Sequence, residues 1–227
     1  MRTVPEPDFA SVATVIGDPA RASMLAALMG GEALPAGELA SRAAVSAATA
    51  SSHLSRLVSS GLVTRRRSGR HRFYELASAD VAEALESLTR LAAMPARAEV
   101  EPESRRALTF ARTCYDHLAG RLGVVVTRTL LERGLIAGSG YATTPRGEEW
   151  MRGVAIDVGH LKAQRRTLSR PCLDWSERRD HLAGAAGAAI ASMMLARRWI
   201  VRMDGTRAVR LTVRGRDGLY RSLGLEV

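Results

Sequence analysis

Lysine is almost absent from this 227-residue chain: Lys162 is the only one among 33 basic residues. The positive charge is therefore arginine charge, and against 23 acidic residues it leaves a formal net charge of +10. Arginine content can follow genomic base composition, so the total identifies no partner, and its clustering says more. Cysteine is nearly as scarce. Cys114 and Cys172 alone do not make the disulfide framework of a small secreted protein. The amino-terminal "MRTVPEPDFASVATVIGDPA" lacks a long apolar core, and no membrane-spanning run is found anywhere. A cytoplasmic protein without membrane contact is expected. Also missing are "GxSxG", "HExxH", "GxxxxGK[ST]" and a dinucleotide fingerprint. Cys114 with His117 is the only pair that tempts a nucleophile reading, and neighbours on one helix need not face each other. No enzyme is expected.

The hydrophobic fraction of 46% and charged fraction of 25% are those of a folded chain, and its length suits two domains. Asp18-Pro19 is a helix start, because the carboxylate accepts orphan amide hydrogens and proline suits the first turn. "PARASMLAALMGG" follows, with an apolar stripe through Met24, Leu25 and Leu28. A second helix begins near Pro35 and buries Leu39 and Ala40. A third covers about Ala48 to Ser60, turning Ala50, Leu54 and Leu57 inward until Gly61 ends it. "LVTRRRS" and "RHRFYEL" then read as two strands joined around Ser68-Gly69. Helix, helix, turn, helix and hairpin is the order of a winged helix-turn-helix.

The expected fold is mainly α with small β wings. Residues 1–95 form a winged helix-turn-helix for DNA binding and dimerisation. Residues 104–227 form a mostly helical, internally duplicated regulatory or effector-sensing domain. "MPARAEVEPES", residues 94–104, connects them.

The chemistry suits duplex DNA. A helix offering alanine, serine and threonine can enter a major groove closely, its hydroxyls meeting base edges or phosphates. Arg65, Arg66, Arg67, Arg70 and Arg72 in the wing can neutralise phosphates or enter a minor groove. The bland alternative is an ordinary amphipathic helix followed by a solvated hairpin. His53, beside Leu54, is read as a local or phosphate hydrogen-bonding group before a metal ligand.

The pattern Ser46-x-x-Thr49-x-Ser51-x-His53-Leu54-x-x-Leu57-x-x-x-Gly61-Leu62-Val63, then Gly69-Arg70 and Tyr74-x-Leu76, resembles the ArsR/SmtB family of winged-helix regulators. So does "IGDPARASMLAAL" before it, and the likeness covers about residues 9–93. It implies a homodimer, usually a repressor released by an effector, whose third helix reads an inverted repeat in double-stranded DNA. The matching positions are Ser46 and Thr49 at the start of that helix, then Ser51, Ser52, His53 and Arg56. In the wing they are Arg65, Arg67, Arg70 and Arg72, with Tyr74 on the returning strand. Independently, Val81, Leu85, Leu88 and Ala92 form a helical stripe that can pack a partner helix, the amino-terminal helix or the second domain. The family's familiar metal sites are missing: "GELASRAAVS" has no cysteine and "ASADVAEALESLTRLAAMP" no histidine. No cofactor is required by the sequence.

The second domain contains an echo. Asp116-His117-Leu118-Ala119-Gly120 recurs as Asp180-His181-Leu182-Ala183-Gly184, an offset of 64 that also relates Gly123 to Gly187 and "LLERGLI" to "MLARRWI". "TTPRG" and "LTVRG" match at an offset of 68, so four extra residues intervene. Long helices are expected near 116–133 and 177–197, with Asp116 as a cap. The repeated glycines would admit a second backbone. Cys114 and His117 are expected on one helical face, and Cys172, Asp174 and His181 near the corresponding point, a candidate soft-metal or zinc site. A buried thiol pair with structural Asp-His hydrogen bonds is the alternative. Trp150, Trp175, Trp199 and Tyr141 are either core or the lining of an apolar cavity. A small-molecule, metal or redox effector all remain open. The competing functions are architectural or weakly specific DNA binding without an effector, and protein interaction through a winged helix.

Overall fold

A computed structural model describes residues 8–68, 71–92 and 103–227. Contacts divide the chain into two units, the first up to Leu85 and the second from Glu86. Gly69, Arg70 and most of the expected 94–104 connection lie outside the described residues.

In the first unit, α1 (Phe9–Ile16) precedes α2 (Pro19–Leu28), and Asp18 caps α2 by accepting from the Arg21 amide. A short β1 (Leu34–Pro35) leads into α3 (Ala36–Arg42) and α4 (Ala47–Ser59), then β2 (Val63–Ser68), β3 (His71–Leu76) and α5 (Ala79–Leu91). The strand order is β1-β3-β2, with β2 and β3 antiparallel and Arg65 opposite Tyr74. Met24, Leu25, Leu28, Leu39, Leu54 and Leu57 are buried at 0–1% exposure, so the apolar stripes read from the sequence meet in one core. This is a winged helix-turn-helix.

The boundary between the units falls within α5, and the second unit continues with α6 (Glu103–Phe110), then a hairpin of β4 (Arg112–Cys114) and β5 (His117–Ala119), and α7 (Gly120–Glu132). A small hairpin, β6 (Ile136–Ala137) with β7 (Ala142–Thr143), leads to α8 (Pro145–Gly153) and α9 (Val158–Ala163). The pattern then repeats as β8 (Arg170–Leu173), β9 (Asp180–Ala183), α10 (Gly184–Ala196), β10 (Ile200–Arg202), β11 (Val209–Leu211) and α11 (Val213–Leu223). The duplication is therefore structural. Its four-residue length change falls in the β10–β11 hairpin, because Ile136 pairs with Thr143 where Ile200 pairs with Leu211. Helices and hairpins are exchanged between the copies: α7 packs on β9 and α10 on β5. The Leu182 amide accordingly donates to Thr127 Oγ1 across the exchange, at 2.8 Å.

Two expectations fail here. The His-Leu-Ala of each copy lies in a returning strand, and the helices begin only at Gly120 and Gly184. Asp116 caps neither helix; it accepts from Arg166 and lies beside His117. The expected helical stripe from Leu118 onward is interrupted because residues 117–119 have strand partners in Arg112, Thr113 and Cys114. The trapped glycines, in contrast, do admit backbone. A Cβ on Gly123 would stand 2.5 Å from the Leu118 carbonyl oxygen, and one on Gly187 2.4 Å from that of Leu182.

The later echo has the same cause. Thr144 and Thr212 cap α8 and α11 by accepting from the Gly147 and Gly215 amides, each at 3.0 Å. A Cβ at Gly147 would meet the Leu135 carbonyl oxygen at 1.9 Å, and one at Gly215 that of Trp199 at 2.1 Å. Gly147→Ala and Gly215→Ala are therefore each expected to cost about 3 kcal/mol, the upper end of ordinary overpacking. Gly153→Ala, which meets nothing within 4 Å, is the control and should cost nothing. Urea midpoints of the three variants check this.

Candidate nucleic-acid interface and metal centre

Ser46 starts α4 by accepting from the Thr49 amide at 3.2 Å, and its hydroxyl also lies 2.8 Å from Thr49 Oγ1. Behind the helix, Ala50, Leu54 and Leu57 are buried. Ser46, Thr49, Ser51, Ser52, Ser55 and Arg56 are left exposed along its outer side. Ala47 and Ala48 are exposed between them, so nothing bulky holds the helix away from a flat partner. Arg65, Arg66, Arg67 and Arg72 are exposed on the paired strands of the wing, whereas Tyr74 is buried and anchors it. Small hydroxyls on one helix and guanidinium groups on the adjoining ribbon make a surface suited to a polyanion with grooves.

His53 does not join that surface. Its Nδ1 lies 3.3 Å from Arg21 Nη1 and 3.6 Å from Asp18 Oδ1. Arg21, itself buried, donates through Nε to the Val15 carbonyl and through Nη2 to that of Thr14. The Arg21 amide and charge, with His53 nearby, hold the Asp18 carboxyl below its ordinary value despite an opposing desolvation effect. His53 thus ties α4 to the turn between α1 and α2. In the proposed dimerisation stripe, Leu85 is buried and Val81 half-buried, while Leu88 is 42% exposed and Ala92 also exposed. No residue of α1 is buried, and Phe9 is 76% exposed.

The second site lies wholly in the second unit. The β4–β5 hairpin turns through Tyr115 and Asp116, with Tyr115 at φ 58°, and its register sets Cys114 opposite His117. The β8–β9 hairpin turns through residues 174–179 and sets Cys172 opposite His181. The spacing from cysteine to histidine differs between the copies because the turns differ, while the cross-strand pair is the same. Cys114 and His117 do not share a helical face. All four side chains are buried, and their ligand atoms lie within 4.8 Å of one another. The two imidazole centroids are 5.1 Å apart.

Each imidazole is backed by a carboxylate. Asp116 Oδ1 lies 3.2 Å from His117 Nδ1, and Asp174 Oδ2 lies 3.4 Å from His181 Nδ1. Arg166 pairs with Asp116, and Arg112 with Asp174 at 2.9 Å, the latter pair being completely buried. Asp174, read as a candidate ligand, therefore stands behind His181 and outside the group of four. It accepts instead from the amides of Gly120, Ser176 and Glu177. Desolvation opposes its charge, but His181, Arg112, Ser176 and Gly120 together hold its carboxyl far below the usual range. Burial likewise works against a charged His181, and the Asp174 carboxylate and Cys172 sulfur outweigh it, so its pKa rises. The cysteines share a proton unequally: hydrogen bonding between the two sulfurs raises Cys114 and lowers Cys172, whose thiolate the two imidazoles also favour.

This geometry overturns the expectation that no cofactor is required. Two thiols and two imidazoles converge in a buried cluster suited to a metal ion. The aromatic residues, in contrast, are dispersed. Trp199 is in the core, Trp150 Nε1 donates to the Ser222 carbonyl at 3.0 Å, and Trp175 lies under the Arg112 guanidinium at 4.3 Å. Among the described residues, no helix is long and apolar enough to cross a membrane.

Comparison with known proteins places these observations. Residues 16–66 match the family described as a helix-turn-helix domain. Over 224 residues the chain is 39% identical to the uncharacterized HTH-type transcriptional regulator YdfF of Bacillus subtilis (strain 168), covering 97% of this chain and 99% of that one. Two solved structures resemble part of it. Reduced HlyU of Vibrio cholerae N16961 is 32% identical, with 37% of this chain and 88% of that chain covered at a TM-score of 0.34. NolR of Sinorhizobium fredii is 26% identical, with 39% and 96% covered at a TM-score of 0.34. The relative matched along the chain, YdfF, is described as a transcriptional regulator and not as an enzyme. With a winged helix-turn-helix in its first unit and a relative 39% identical over 97% of its length, the chain belongs to the HTH-type transcriptional regulators, in the family of YdfF.

Proposed function

We propose that this protein is a cytoplasmic, homodimeric, sequence-specific repressor of the ArsR/SmtB type, whose operator affinity is modulated through residues 104–227. The observation that carries this reading is the exposed outer side of α4, with Thr49, Ser52 and Arg56 uncovered beside the wing arginines. Ser46, Thr49, Ser51, Ser52 and Arg56 meet base edges and flanking phosphates in the major groove, while Arg65, Arg67, Arg70 and Arg72 grip the backbone beside it. His53 acts from behind, fixing the helix against Asp18 and Arg21. Dimerisation uses the stripe Val81, Leu85, Leu88 and Ala92, supported by the exposed apolar side chains of Leu88, Leu91 and Phe9. Two half-sites then contribute together to specificity. Modulation requires that an effector bind the two states of the regulator differently. The buried donor cluster of the second unit supports a metal as the first effector to try.

Competition distinguishes this from architectural binding. A repressor keeps its preference for one palindromic duplex as salt and unrelated DNA increase, whereas an architectural protein loses affinity equally for all duplexes. Arg65→Ala and Arg67→Ala should each weaken binding to every duplex alike. Each should also reduce the slope of log affinity against log salt by about 1. Fluorescence anisotropy across a salt series checks both, and unchanged slopes would remove the wing from the interface.

A further inference from the structure

We propose that Cys114, His117, Cys172 and His181 bind one zinc ion in a closed tetrahedral centre that joins the duplicated halves of the second unit. The donor set is borderline-soft, two sulfurs and two imidazole nitrogens, and it supplies all four positions of a structural zinc site. A tetrahedron of such bonds has edges of about 3.3–3.8 Å. The present limit of 4.8 Å among donors is reached from that by small side-chain rotations.

Three further observations point to a cation at this place. His117 Nε2 and His181 Nε2 are both buried without a hydrogen-bond partner, a cost that metal coordination removes. Asp116 and Asp174 approach the Nδ1 side of each ring. That is where an outer carboxylate orients a zinc-bound imidazole and leaves Nε2 for the metal. Each half contributes one cysteine and one histidine facing each other across its own hairpin. A disulfide between the cysteines would join the same halves but would leave the imidazole nitrogens unsatisfied.

Charge also balances. In the loaded state both cysteines are thiolates and both imidazoles neutral, every proton they held having passed to solvent, so Zn2+ and two thiolates sum to zero. The carboxylates behind them are already matched by Arg166 and Arg112. A neutral, fully ligated ion has no open position for water, which makes the centre a cross-link and not a catalyst.

Full-length protein prepared without chelators should contain one zinc per chain by elemental analysis. After removal of the metal, titration with Co2+ should give the visible bands of tetrahedral cobalt together with thiolate charge transfer. Added Zn2+ should displace those bands and raise the melting temperature of the metal-free protein by about 10 °C. Asp116→Asn, which leaves all four ligands in place, should weaken zinc binding by about 10–100-fold while retaining the cobalt spectrum. Cys114→Ser and Cys172→Ser should lose stoichiometric metal. If they fail to fold, the wild-type titration and Asp116→Asn still decide. An octahedral cobalt spectrum would overturn the assignment. So would reduced metal-free protein that binds no zinc at micromolar concentration, or an unaltered melting temperature. None of these readouts involves DNA, so they stand or fall apart from the repressor reading.

Discussion

Asp174→Ala is expected to destabilise the second unit by about 3–5 kcal/mol, the cost of stranding one partner of a buried ion pair. Arg112 and Asp174 have side-chain exposures of 0% and 0% at a separation of 2.9 Å. Without the carboxylate, the guanidinium stays buried over the Trp175 ring, its charge uncompensated. The amides of Gly120, Ser176 and Glu177 lose their acceptor as well. Replacing both partners in Arg112→Met/Asp174→Leu removes the stranded charge and should recover part of the loss. It cannot restore the three amide bonds, so the double variant should remain below wild type. The three tryptophans, Trp150, Trp175 and Trp199, all belong to the second unit. Urea unfolding followed by their fluorescence therefore reports on this unit directly. A single variant with the wild-type midpoint would show that the pair does not hold the hairpins together.

A comparably large effect is expected at the DNA surface, with the opposite character. Arg56→Glu/Arg65→Glu should leave the fold untouched, because both side chains are exposed, and surface changes of this kind usually stay within about 0.5 kcal/mol. Operator affinity should nevertheless fall by at least about 100-fold, since two attractive phosphate or base contacts become repulsive. The pairing of a normal melting curve with lost binding separates recognition from folding. If every binding activity survived the double reversal, the winged helix would be better described as a protein-interaction module.

The first unit was readable because its signals are local. Asp18 before Pro19, the i, i+4 and i+7 positions of Ala50, Leu54 and Leu57, and a hairpin of alternating residues each act within one element. Their agreement in order defines the fold. The second unit was half readable. Its duplication was visible as repeated text, and the repeated glycines marked close backbone approach, met by the carbonyls of Leu118 and Leu182. All four donors were named from the sequence, but on a helical face and with Asp174 among them, and their true arrangement was out of reach for a physical reason. Helical spacing relates Cys114 to His117 only by accident, while Cys172 and His181 are far apart in the sequence and obey no period. What brings each pair together is strand register, and what brings the pairs to each other is the exchange of α7 and α10 between hairpins. Neither is encoded in one short stretch. The signal available was the cysteine and histidine shared by both copies around "DHLAG", with turn length treated as free. His53 shows the reverse case: it lies in the right stretch for DNA, yet the buried Arg21 and the Asp18 cap claim its ring.

Selection of bound duplexes from a random library, using the full-length protein at physiological salt, tests the reading surface most directly. Enrichment of an inverted repeat with half-sites about one helical turn apart is the predicted result, and Thr49→Ala/Ser52→Ala should change the enriched bases. Recovery of duplexes with no common sequence, from wild type and variant alike, would contradict it.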